Sequence, residues 1–144
     1  MTIDGFTIRR RVIAAAAAVV ILVLVALLLW RKKRRPSKLN NAYFQKKWQE
    51  AQALCRNQAS WPLAIISADK LVDEALKKSK FKGKTMGERL VAAQHEIKDN
   101  DTVWFAHKLR NKLVHEDMKK LKKKDVMEAL IGFRSTLKDL GALE

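Results

Sequence analysis

Residues Val12 to Trp30 read VIAAAAAVVILVLVALLLW, nineteen positions without a charge or a polar side chain. As an α-helix this stretch would be about 28 Å long, close to the thickness of a bilayer's hydrocarbon core. Arg9, Arg10 and Arg11 precede it. Arg31, Lys32, Lys33, Arg34 and Arg35 follow it. A long apolar run clamped between basic clusters predicts one transmembrane helix. A secretory signal is the competing reading, but signal cores are about 7–15 residues and end in small residues. This run is longer and ends in Trp30 and five basic residues. Thr7-Ile8-Arg9-Arg10-Arg11 is only a faint match to a twin-arginine signal. A helix buried inside a soluble protein is disfavoured because the run is apolar all round.

Working outward, residues 1–11 form a short tail, 12–30 the anchor, 31–38 a basic linker and 39–144 a single folded domain. A hundred-odd residues is the usual size for one core. Near the anchor, three basic residues stand on the N-terminal side. Eight stand on the C-terminal side through Lys47. The positive-inside bias therefore predicts a single-pass protein of the cell (inner) membrane with its C-terminal domain in the cytoplasm. The formal charge of +15 points to anionic partners, lipid headgroups or nucleic acid. Cys55 is the sole cysteine, so no internal disulfide can form.

Beyond Pro36 the periodicity predicts an all-α fold, a five-helix up-down bundle. The helices are expected at Leu39–Arg56, Trp61–Lys78, Met86–Ile97, Thr102–His115 and Val126–Leu140. Phe44, Trp48, Ala51 and Cys55 mark the first apolar stripe. Trp61, Ile65, Ala68, Val72 and Leu76 mark the second, widened by Leu63, Ile66 and Leu71. Met86, Leu90, Ala93 and Ile97 mark the third. Ala106, Leu109 and Leu113 mark the fourth. Val126, Leu130, Phe133, Leu137 and Leu140 mark the fifth. Ser60, Thr85, Asp101 and Asp125 are the expected N-caps, with Glu88 and Glu128 completing capping boxes. Pro62 suits a first turn and Gly141 a stop. Trp48, Trp61 and Phe133 are expected in the core.

If all five helices alternate in direction, linker 31–38 and loops 77–84 and 116–124 share one end of the bundle. Together they carry +14. The expectation is a domain polarised toward the membrane. Arg31, Lys32, Lys33, Arg34, Arg35, Lys119, Lys120, Lys122, Lys123 and Lys124 would bind anionic lipid or nucleic acid.

One constellation could carry chemistry. In DTVWFAHKLRNKLVHED, Trp104, His107, Asn111 and His115 fall on the side of the helix opposite Ala106, Leu109 and Leu113, with Arg110 at the edge. Arg110-Asn111-Lys112-Leu113-Val114-His115 resembles the Arg-Asn-x-x-x-His signature of HEPN domains, which are small helical bundles. The five-helix pattern with the motif on its fourth helix is similar to that family's architecture, over about residues 40–140. The resemblance implies a metal-independent endoribonuclease acting as a dimer. His115 would be general acid or base and Arg110 would stabilise phosphate charge, with Asn111 and His107 as accessories. It equally implies inactive relatives that bind RNA or serve as scaffolds. The alternative without chemistry pairs Arg110 with Glu116, Glu96 or Asp73, and has Asn111 and His115 cap the helix end. No Ser-His-Asp order, metal-ligand cluster or glycine-rich phosphate loop is present. No cofactor is expected. A membrane-tethered adaptor binding a protein or anionic lipid is the rival to an RNA-directed function.

Overall fold

The computed structural model describes residues 5–33, 38–116 and 120–144. It is all-helical among them: α1 (Gly5–Lys33), α2 (Asn41–Ala53), α3 (Trp61–Lys78), α4 (Met86–Ala93), α5 (Asn100–His115) and α6 (Lys123–Asp139). Two compact units divide the chain, Met1–Arg35 and Pro36–Glu144.

The first unit is α1. Its segment Ile8–Leu29 has a mean hydropathy of 3.3, and none of it is buried by the protein. Ile13 is 68 % and Leu28 64 % exposed. Twenty-two such residues rise about 33 Å, enough to cross a hydrocarbon core.

The second unit is built round α3, whose Ile65, Ala68, Val72, Ala75 and Leu76 are fully buried. Pro62 occupies the first turn of α3. Phe44 and Trp48 of α2, Leu90 of α4, Val103 and Ala106 of α5, and Phe133 and Leu137 of α6 close the core around it. Trp48 and Phe133 are buried as expected, while Trp61 is half-buried and its indole donates to the Cys55 carbonyl at 3.0 Å. That bond clamps the corner between α2 and α3, which is made of two 3-10 turns, Leu54–Arg56 and Gln58–Ser60. Leu63 does not join the core stripe: it is 53 % exposed.

Several caps differ from expectation. Asp99, not Asp101, caps α5 by accepting from the Thr102 amide at 3.0 Å. Ser60 makes no side-chain cap, and α6 starts at Lys123 with no side-chain cap, ahead of Asp125. Thr85 caps α4 as expected, and Glu88 reaches back to the Lys84 amide at 2.6 Å.

Helix direction also differs from expectation. α4 is only eight residues long, about 12 Å, against about 27 Å for α3. It stops because the Asn100 amide binds the carbonyls of Gln94 and Ile97, both at 2.9 Å, turning the chain back where a longer helix was expected. α4 therefore does not cross the bundle. The four long helices alternate, and α4 bridges the second to the third at one end. At that entry end the Tyr43 hydroxyl of α2 donates to Glu74 of α3. Lys98 meets Asp139 there as well, and with its nitrogen turned inward the Asn41 amide donates to the Gly141 carbonyl at 3.1 Å. The C-terminus thus returns to the start of α2. The end of α5 and the start of α6 lie at the opposite end, so Lys120, Lys122, Lys123 and Lys124 are separated from the 79–85 loop. These four lysines and the 79–85 loop therefore do not share one pole.

α5 and α6 pack closely through Gly132. A Cβ there would stand 2.7 Å from the Thr102 carbonyl oxygen. Gly141, at φ +73°, ends α6 with the Ala142 amide bonded back to Leu137.

Candidate functional site

On α3, Asp69 sits at the edge of the apolar stripe, between Ala68 and Val72, and is 4 % exposed. A carboxylate so deeply placed requires partners. α5 supplies them one helical turn apart. His107 Nδ1 lies 2.7 Å from Asp69 Oδ1, and Asn111 Nδ2 lies 3.3 Å from His107 Nε2. One tautomer satisfies both: Nδ1–H donates to the carboxylate and Nε2 accepts from the amide. Arg110 donates to Asn111 Oδ1 at 3.0 Å, and its Nε stands 3.3 Å from Asp69 Oδ2. That last contact is an ion pair without hydrogen-bond alignment, for the Nε proton has no acceptor. Four side chains thus form a closed ring, Asp69–His107–Asn111–Arg110.

The ring opens into a groove of about 650 Å³ between α3, α4 and α5. Lys70, Lys77, Thr85, Met86 and Ile66 line its walls. A second pair supports the α4 side. Arg89, 6 % exposed, binds Asp73 through Nε at 2.7 Å and the Gly83 carbonyl at 2.6 Å. Lys77 takes the other Asp73 oxygen at 2.7 Å. Trp104 lies over Gly87, 3.5 Å from where a Cβ would be, an ordinary contact distance between α5 and α4.

The structure therefore brings together Arg110, Asn111 and His107 of the residues singled out in sequence, and adds Asp69. Arg110 pairs with none of Glu116, Glu96 or Asp73. His115 is exposed on the last turn of α5 and outside the ring. Asn111 is committed to His107 and Arg110 rather than to a helix cap. Lys120, Lys122, Lys123 and Lys124 are exposed around the start of α6. The side chains of Arg31, Lys32, Lys33, Arg34, Arg35 and Lys119 lie outside the described residues. No cluster of three or more metal-ligating side chains occurs among the described residues. The sequence signal for Asp69 was its own position: an acid at the edge of the apolar stripe, next to Ala68.

Elsewhere, desolvation pushes the Glu74 carboxyl up, but hydrogen bonds from Lys78 and Tyr43 outweigh it and hold the group below its ordinary value. Burial pushes the Cys55 thiol up, away from a reactive thiolate. Comparison with protein-family models, curated proteins and solved structures finds no match to this chain.

Proposed function

We propose that this is a membrane-anchored binding module whose helical bundle sits at the cytoplasmic face and recruits a partner through the α3–α4–α5 groove. The reading is supported by one observation above all. Arg110 is tied into the groove by Asp69 and Asn111, while His115 stands exposed outside that ring. His107 has both nitrogens engaged. A general acid or base needs a free position toward its substrate, and none of the ring's imidazole atoms has one. The anchor supports a membrane location, and the eight-to-three excess of basic residues supports the cytoplasmic side.

A second reading is an HEPN-like, metal-independent ribonuclease assembled as a homodimer. The exposure of His115 favours it, because an exposed histidine is available to a phosphate carried by another chain. Incubating the full-length protein with RNA in the presence of EDTA separates the two. The binding-module reading expects intact RNA. Cleavage leaving a 2′,3′-cyclic phosphate, abolished by both His115→Ala and Arg110→Ala with the fold retained, would establish the ribonuclease instead.

A further inference from the structure

α6 carries a second feature that the groove does not use. At 100° per residue, Lys123, Lys124, Met127, Ile131, Arg134 and Lys138 fall within an arc of about 100° on its outer side. Ile131 is 62 % and Met127 48 % exposed, one turn apart. The four cations are exposed, and among the described residues none of them enters an ion pair. The acids of the helix, Asp125, Glu128 and Asp139, lie outside the arc, and Asp139 is taken by Lys98. Two apolar side chains framed by four unpaired cations, with no acid among them, form a surface complementary to anionic lipid. Cations meet phosphates while apolar groups enter the boundary beneath them.

We propose that the outer face of α6 docks on the anionic leaflet, Met127 and Ile131 inserting at the headgroup boundary and Lys123, Lys124, Arg134 and Lys138 binding lipid phosphates. The proposal rests on the membrane-anchor part of the reading above, and not on the groove. A tethered domain meets the nearby surface at high effective concentration, so a patch too weak to recruit a free protein suffices.

The test uses the full chain carrying Cys55→Ser and Ile131→Cys, labelled with an environment-sensitive fluorophore. It is reconstituted into phosphatidylcholine vesicles with and without about a third phosphatidylglycerol. The label should shift to the blue and become quenchable from within the bilayer only where phosphatidylglycerol is present, and lose both at high salt. Replacing Lys123, Lys124, Arg134 and Lys138 with glutamine should weaken the anionic-lipid response by well over about tenfold, since each cation contributes roughly fivefold. A label at Val91→Cys, an exposed apolar site on α4, should stay silent. Equal responses at 91 and 131, or none at 131, overturn the proposal. So does protection of position 131 by added RNA in place of lipid. A silent label on vesicles that float with the protein sinks this proposal alone. Failure to float on neutral vesicles sinks it together with the anchor.

Discussion

His107 and Asp69 meet at 2.7 Å across α5 and α3, their side chains 11 % and 6 % exposed. Their contact joins the two helices within the groove that the start of α4 also lines. It therefore serves cohesion and groove shape at once.

Removing the carboxylate leaves His107 and Arg110 without their shared acceptor. Asp69→Ala should cost about 2–3 kcal/mol, less than a wholly buried charge pair because Arg110 is partly solvated. Thermal denaturation should show a fall of roughly 10–20 °C. His115→Ala, at an exposed position, should stay within about 0.5 kcal/mol of the parent. Equal losses for the two variants would contradict the ring.

Coupling within the ring can be measured directly. A double-mutant cycle on Asp69→Asn and His107→Ala should give an interaction energy of about 1–3 kcal/mol. The corresponding cycle between Asp69 and His115 should give nothing beyond error.

The two glycines of α6 and its end make a contrasting pair. Gly132→Ala would press a methyl against the Thr102 carbonyl and should cost about 1–3 kcal/mol through the α5–α6 contact. Gly141→Ala meets no neighbour within 4 Å, and its cost of about 1–2 kcal/mol comes from backbone conformation alone. Gly141→Asn should recover part of that cost; Gly132→Asn should recover none.

Acid should weaken the bundle through groups whose folded affinity for protons is low. The hydrogen bonds that Thr102 donates to the Asp99 carboxylate depress its pKa, and Glu74 is depressed by Lys78 and Tyr43 against its desolvation. A depressed acid contributes stability that is complete above its unfolded pKa of about 4 and disappears as pH falls through the folded value. Denaturation midpoints should therefore be flat near pH 6 and decline below about pH 4. D99N keeps a capping oxygen but cannot titrate, so its decline should be shallower; an unchanged slope would exclude Asp99 as a contributor.

A reporter fused after Glu144 tests sidedness. Activity should require a cytoplasmic location, because the basic excess lies on the C-terminal side of the anchor. Activity on the far side of the membrane would reverse the orientation.

α3 was readable to the residue, Trp61–Lys78, because Pro62 marks its start and an uninterrupted stripe runs to Leu76. α4 was not. Met86, Leu90, Ala93 and Ile97 keep helical phase, and all four are buried, yet the helix stops at Ala93. Periodicity records which residues face the core, not whether the backbone between them remains helical. The stop depends on Asn100, whose amide captures two carbonyls in the preceding turn. One non-crossing helix changes the direction of every helix after it, which puts Lys120, Lys122, Lys123 and Lys124 at the end opposite to the expected one. In the site, His107, Arg110 and Asn111 were visible as an unusual polar set on α5. Their anchor was not, because pairing Asp69 with residues thirty-eight or more positions away is a property of packing. The resemblance to HEPN domains rested on a six-residue run and on its place on the fourth helix of a five-helix pattern, and the comparisons add nothing to it.

With Asn41 beside Gly141, the bundle begins and ends at one place. A module with adjoining ends is portable. It can be cut from one anchor and fused to another, or inserted into the loop of a host protein, without any helix having to change its neighbours. New ends opened elsewhere, with Gly141 joined to Asn41 by a short linker, should give a circular permutant that keeps the same core.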